Sequence, residues 1–243
     1  MEALGANLQT FFFAGLAGFI PAVLWLVFWL REDRKRPEPR GLILLAFGAG
    51  MAAVIVVLPF EGYAANVLPM GFLLILVWAA IEEITKFALA WIVVLQRSAI
   101  DEPIDFPVYL ITVALGFSAL ENAFFLFSPL SAGRFAETVL TGDLRFIGAT
   151  LIHVLASAVI GGAFAFSFYR ERVHKVWYGL GGIILAISLH ALFNFLIMTT
   201  GASSILTVFL GVWVGIIMLL LTLERIKDIH RPFWWEKMFS QSL

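Results

Sequence analysis

The 243-residue sequence contains no cysteine, which excludes disulfide bonds, thiolate metal ligands and a cysteine nucleophile. Charged side chains make up only 14% of the residues, and the formal net charge of −1 gives no reason to expect a nucleic-acid partner. Hydrophobic residues, by contrast, make up 61% of the chain, far more than in an ordinary soluble domain. The composition therefore predicts a polytopic membrane protein that lies in a lipid bilayer and whose chemistry takes place among its spans.

Apolar runs bounded by charged residues predict an all-α fold, a bundle of about seven transmembrane helices. We place the spans at residues 8–30, 41–60, 70–96, 107–129, 146–169, 178–198 and 204–223. Because no repeat or linker divides the chain, we expect a single integral membrane domain over residues 1–243, with a catalytic core at about 70–198. We expect residues 224–243 to form a cytoplasmic tail along the lipid headgroups, with a solvated tail as the alternative.

Basic residues are distributed unevenly between the predicted loops. Thirteen of the 16 Lys and Arg residues follow spans 1, 3 and 5 or lie in the tail, whereas Arg134 and Arg145 fall on the opposite side. The positive-inside rule then predicts that the N-terminus faces out and the C-terminus faces in. Since no basic residue precedes the first apolar run, we expect that span to be retained and not cleaved as a signal peptide.

Six ionisable side chains interrupt the predicted spans, and each is a functional hypothesis because a charge in the bilayer core is costly. Span 3 contains Glu82, Glu83 and Lys86; span 4 contains Glu121, next to Asn122; span 5 contains His153; and span 6 contains His190, followed one turn later by Asn194. Their depths within the spans predict that all of them lie in one layer of the membrane. Helical spacing predicts that Lys86 can contact both glutamates of span 3.

Three carboxylates, one ammonium and two imidazoles leave this layer short of positive charge. Either a held proton or a bound divalent cation could compensate, and both arrangements suit hydrolysis. A buried histidine or a Glu–Lys pair on its own is often structural, but a salt bridge needs one carboxylate and not two. The adjacent glutamates therefore favour a site that does chemistry.

Four motifs in order carry a resemblance to a known family. They are EExxK at Glu82–Lys86, GFxxxEN at Gly116–Asn122, His153, and HxxxN at His190–Asn194. This set resembles the PrsW family of intramembrane proteases, within the wider group of CPBP proteins and type II CAAX prenyl endopeptidases. The resemblance covers about residues 70–195, and Phe87, where the CAAX branch has arginine, favours the PrsW branch.

The resemblance implies a peptidase of the intramembrane endopeptidase class, in a prokaryotic plasma membrane, that cleaves a membrane-anchored protein such as an anti-sigma factor. In a glutamate mechanism without metal, Glu82 and His153 activate water, while Glu83 shares its charge with Lys86. His190 and Asn194 then stabilise the oxyanion.

In a metal mechanism, zinc is bound by His153, His190 and one of Glu83 or Glu121, and another glutamate is the general base. Asparagine is a better oxyanion donor than zinc ligand, so Asn194 favours the glutamate mechanism. Asn122 is expected to support Glu121 in either case.

Two other classes of protein could use the same buried residues. A transporter or proton relay would exploit the unbalanced carboxylates, but it favours repeated halves with broken helices, and the clear mid-span proline, Pro21, lies far from the cluster. A non-catalytic membrane scaffold could keep the histidines, but it has no need for both Glu82 and Glu83.

Overall fold

The computed structural model describes residues 2–31, 36–199, 202–230 and 232, and every regular element in this part of the chain is helical. The α-helices are α1 (Glu2–Trp29), α2 (Arg40–Val67), α3 (Phe72–Ala90), α4 (Asp105–Ser131), α5 (Phe135–Leu144), α6 (Thr150–Phe166), α7 (Arg172–Thr199) and α8 (Ala202–Lys227). A π-helical turn at Trp91–Leu95 extends α3, and another at Arg145–Ala149 joins α5 to α6. The predicted all-α class is confirmed.

Within the described ranges, six helical segments are long and apolar enough to cross a membrane. They are Leu8–Trp29, Arg40–Val67, Asp105–Ser131, Phe135–Phe166, Arg172–Thr199 and Ile205–Lys227. The 19-residue α3 falls outside this group, because it carries the three charges of Glu82, Glu83 and Lys86. With α3 included, a helical segment lies at each predicted span, and the chain is a multi-pass membrane protein. The orientation of its termini stays a prediction.

Several helices extend beyond the predicted spans, among them α2, α5 and α7. Helix α2 continues to Val67 instead of ending at 60, α5 begins at Phe135 instead of 146, and α7 begins at Arg172 instead of 178. An apolar run ends at the first charged residue, whereas a helix continues wherever its backbone hydrogen bonds can form. Of the predicted tail, α8 includes residues 224–227, and residues 231 and 233–243 lie outside the described part of the chain.

Helix α4 lies at the centre of the bundle, packed against α1, α2 and α6. Two glycines allow its close approach to α2. A Cβ atom on Gly116 would come within 1.9 Å of the Phe47 carbonyl oxygen, and one on Gly50 within 1.9 Å of the Val113 carbonyl oxygen. Small residues permit such backbone contact between membrane helices. This packing sets the position of Glu121, which lies further along α4.

Candidate active site

The ionisable residues of the predicted spans meet in one buried cluster. Helix α3 contributes Glu82, Glu83 and Lys86, α4 contributes Glu121, α6 contributes His153 and α7 contributes His190. Five of these residues are at most 6% exposed, and the side chain of Glu121 is 18% exposed. The two imidazole rings are in contact edge to face, with their centroids 4.7 Å apart. The structure therefore brings together, from four helices, the residues that we selected.

One side of the cluster is a chain of three groups that we name the lysine arm: Lys86, Glu83 and His190. The Lys86 ammonium donates to Oε1 of Glu83 over 2.5 Å. The Nδ1 atom of His190 lies 2.8 Å from the same oxygen. A carboxylate can only accept, so Nδ1 of His190 carries a hydrogen, and in a neutral ring Nε2 then keeps its lone pair.

The other side repeats this order with different residues, and we name it the arginine arm: Arg145, Glu121 and His153. Arg145 Nη2 donates to Glu121 Oε2, and His153 Nε2 lies 3.1 Å from that oxygen. By the same reasoning, Nε2 of His153 carries the hydrogen and Nδ1 keeps the lone pair. Asn122 extends this arm, because its amide oxygen accepts from Arg145 Nε over 2.5 Å and its amide nitrogen donates to Thr150 over 3.1 Å.

Glu82 lies between the two arms. Its Oε2 atom is 3.8 Å from Nδ1 of His153 and 3.9 Å from Nε2 of His190, and it is buried without a hydrogen-bond partner. One ligand atom from each of these three residues lies within 4.8 Å of the others. The carboxylate that faces both imidazole lone pairs is thus Glu82. We expected the metal-ligating carboxylate to be Glu83 or Glu121, but each of these contacts the other nitrogen of one ring.

This donor set fits zinc. Two imidazoles and a carboxylate are a common set at catalytic zinc sites, and tetrahedral zinc ligands lie about 3.4 Å apart, so the carboxylate oxygen, 3.8 and 3.9 Å from the two nitrogens, would move closer to them on binding. The second nitrogen of each ring meets a carboxylate, as is usual for zinc-bound histidines. Lys86 competes with this arrangement, since its ammonium lies 3.0 Å from Nδ1 of His153. Contrary to the prediction, Lys86 forms no ion pair with Glu82.

Arg145 is a residue of this cluster that the sequence reading missed. It was counted among the loop residues, because the fifth span was expected to begin at 146. Instead it begins the π-helical turn between α5 and α6, and its side chain is only 14% exposed. The available signal was its position immediately before an apolar run that contains His153.

Glu61 was missed in the same way, because the second span was expected to end at residue 60. It lies on α2, and its side chain is near those of Glu82, Glu121 and Lys86. Its backbone carbonyl accepts a hydrogen bond of 3.1 Å from the indole nitrogen of Trp78. The cluster therefore contains a fourth carboxylate.

Asn194 lies one helical turn after His190 on α7, as the spacing predicts. Its side chain is partly exposed, and it forms no hydrogen bond with the described residues. The amide is therefore free to donate to another group near His190.

The family model described as "PrsW family intramembrane metalloprotease" matches residues 38–222 of the chain. The chain belongs to the PrsW family. The match extends from just before α2 into α8 and includes every residue of the two arms, as well as Glu61 and Glu82. The resemblance inferred from the four motifs is confirmed.

The chain is also similar to relatives named Protease PrsW. The protein from Geobacillus kaustophilus (strain HTA426) is 28% identical over 190 residues, which cover 75% of this chain and 78% of the relative. The one from Bacillus subtilis (strain 168) is 26% identical over 185 residues, covering 74% and 81%. No solved structure matches the chain. As a member of the PrsW family with multiple membrane-spanning helices, the chain is a membrane peptidase that acts on a protein in the membrane.

Proposed function

We propose that this PrsW-family chain hydrolyses a peptide bond of a membrane-anchored protein. We propose that the site of hydrolysis is formed by Glu82, His153 and His190, and that these three residues bind a zinc ion. The proposal rests mainly on one observation, that three acceptor atoms face one another in a buried site. The imidazole lone pairs of His153 and His190 both face the unpartnered Oε2 of Glu82, and the Lys86 ammonium, 3.0 Å from Nδ1 of His153, would have to move away for a metal to bind. Acceptors in a buried site repel one another unless a cation lies between them.

The balance of charge supports the same proposal. Each cation of the cluster is paired with one carboxylate, Lys86 with Glu83 and Arg145 with Glu121. Glu82 has no such partner, and Glu61 beside it is in no ion pair with the described residues. Charges buried in a membrane protein need compensation, and a divalent cation would supply it.

Each residue of the cluster then has a role in hydrolysis. Glu83 and Glu121 hold the imidazoles with their lone pairs toward Glu82, and burial of the cluster limits the access of water. Glu61 is the remaining carboxylate that can take a proton from water, and Asn194 can donate its amide hydrogen to the developing oxyanion. A zinc ion, when bound, polarises the scissile carbonyl and lowers the pKa of water. The peptide C–N bond breaks, the water oxygen remains on the carbonyl carbon, and the proton passes to the amine.

The substrate that we propose is an anti-sigma factor or a similar regulatory protein with a membrane anchor, and the location is a prokaryotic plasma membrane. The relatives named above come from bacteria, which supports this location. An endopeptidase that acts within the bilayer suits such a substrate, because the bond to be cleaved lies near the membrane anchor.

Mapping of new protein N-termini in membranes tests the activity. Wild type, Glu82→Gln and Glu83→Gln would be expressed at equal levels, with Glu137→Gln as the control, because Glu137 forms an exposed ion pair with Arg134. We expect wild type and the control to create the same juxtamembrane or intramembrane termini and Glu82→Gln to create none. If the site variants and the control give identical termini in the native host, the proposal is wrong.

Metal analysis of the purified protein tests the zinc ion. We expect about one zinc per chain in wild type and loss of zinc in His190→Gln. Full activity after removal of all metal would instead support the glutamate mechanism, in which Glu82 and His153 activate water directly.

A further inference from the structure

Arg145 lies where an exposed helix meets a buried one. Helix α5 has no buried residue, whereas α6 is buried along most of its length. Arg145 is the first residue of the π-helical turn that joins them. Single π-helical turns are rare and frequently occur at functional sites. The π-helical turn therefore makes Arg145 a candidate functional residue.

The guanidinium group makes three contacts with one stretch of α4. Its Nε atom donates to Asn122 over 2.5 Å, its Nη2 atom donates to Glu121, and its central carbon lies 3.9 Å from the centroid of the Phe125 ring. Guanidinium is planar, permanently charged and able to donate in two directions at once. Arg145 therefore fixes both the charge and the orientation of Glu121.

Glu121 in turn determines which nitrogen of His153 carries the hydrogen. Because its Oε2 atom accepts from Nε2 of His153, the lone pair on Nδ1 faces the Lys86 ammonium, 3.0 Å away, and Glu82, 3.8 Å away. We propose that Arg145 is a positioning residue for hydrolysis, which acts through Glu121 to keep this orientation of His153. The inference rests on the proposed function, and it assigns Arg145 a role that its place in the predicted loop did not suggest.

Two other roles for Arg145 make different predictions. A residue that only balances charge could be replaced by lysine without loss of turnover. A residue that binds substrate would affect KM more than kcat. A positioning residue affects kcat and the affinity for zinc together, and lysine restores them incompletely because it lacks the planar two-donor group.

The experiment compares Arg145→Gln and Arg145→Lys with Arg134→Gln, which removes a charge from an exposed ion pair. Activity would be measured on a peptide or protein substrate identified from the N-terminus map, and zinc affinity by competition with a chelator. For Arg145→Gln we expect kcat and zinc affinity to fall about 10- to 100-fold with KM within about twofold. Arg145→Lys should be intermediate, and Arg134→Gln should match wild type.

A second background tests whether Arg145 acts through Glu121. In Glu121→Gln protein, we expect Arg145→Gln to cause little further loss of kcat, because coupled residues have non-additive effects. Additive losses of kcat in the double variant would contradict the inference.

The inference is overturned if Arg145→Gln equals Arg134→Gln in kcat and zinc affinity, or if only KM changes. Where Arg145→Gln does not fold in detergent, Arg145→Lys decides: wild-type kcat overturns the inference, and reduced kcat with a wild-type melting temperature supports it. His190→Gln in the same assays separates the two proposals. If His190→Gln keeps activity and zinc, the proposed function itself fails. If it loses both while Arg145→Gln matches the control, only the role of Arg145 fails.

Discussion

The lysine arm and the arginine arm place the same three kinds of group in the same order, a cation, a carboxylate and an imidazole. In the lysine arm, Lys86 and Glu83 are three residues apart on α3, and their side chains are 1% and 0% exposed. In the arginine arm, Arg145 and Glu121 belong to different elements and are 14% and 18% exposed. The ion pair of the lysine arm is local in sequence and fully buried, whereas the ion pair of the arginine arm is assembled by packing and lies at the edge of the site.

This difference indicates where water and substrate reach the cluster. The partly exposed members lie together, because Glu61 is close enough to Glu121 for their charges to interact. The residues of the lysine arm are more deeply buried, with side chains at most 2% exposed. We therefore expect changes in the lysine arm to affect stability most and changes in the arginine arm to affect turnover most.

The largest effect is expected for Lys86→Gln, which leaves Glu83 buried without its cation. Removal of one partner of a buried ion pair lowers the free energy of unfolding by about 3–5 kcal/mol. Unfolding in detergent micelles by added SDS measures the change, with Lys227→Gln, which breaks a more exposed ion pair with Glu224 on α8, as the control. A loss of less than about 1 kcal/mol in the free energy of unfolding would mean that the Lys86–Glu83 ion pair behaves as a solvated pair and not as a buried one.

Glu121→Gln tests the arginine arm. Glutamine still offers an oxygen to His153, but it lacks the charge that holds Arg145, so we expect activity to fall about 10- to 100-fold. Its stability should fall less than that of Lys86→Gln, since Glu121 is partly exposed. Initial rates and SDS unfolding on the same preparation check both statements. Equal losses of stability in the two variants would remove the distinction between the arms.

Cysteine labelling sharpens the contrast in access, because the chain has no cysteine of its own. Phe125→Cys would lie at the edge, where the side chain is 53% exposed, and Ala79→Cys would lie one turn from Glu83 on α3, where it is 0% exposed. With a water-soluble maleimide we expect Phe125→Cys to react at least about tenfold faster. Similar rates would show that water reaches both arms equally.

The smallest effect is expected for Arg134→Gln, which breaks the exposed ion pair with Glu137. Such pairs contribute about 0–1 kcal/mol, so unfolding and activity should stay near wild type. The same measurements used for Lys86→Gln apply here. A large loss would mean that α5 depends on this pair, and that Arg134 is a poor reference for Arg145.

The lysine arm was largely predictable from the sequence, and the arginine arm was not. The spacing of Glu83 and Lys86 on one helix predicts their contact, and the wrong prediction, a contact between Lys86 and Glu82, also came from spacing alone. No local pattern relates Arg145 to Glu121, which lie 24 residues apart. The helix boundaries near Glu61 and Arg145 were misplaced by the rule that spans end at charged residues.

The sequence by itself determined the membrane class, the helical segments and the set of side chains available for chemistry, because hydrophobicity and helical periodicity are local properties. Only the tertiary structure decided that Glu82 faces both imidazoles while Glu83 and Glu121 contact their far sides. Adjacent residues on a helix point about 100° apart, and the partner of each depends on which neighbouring helix lies in that direction. That direction is set by packing contacts such as those of Gly50 and Gly116, which bring distant segments of the chain together.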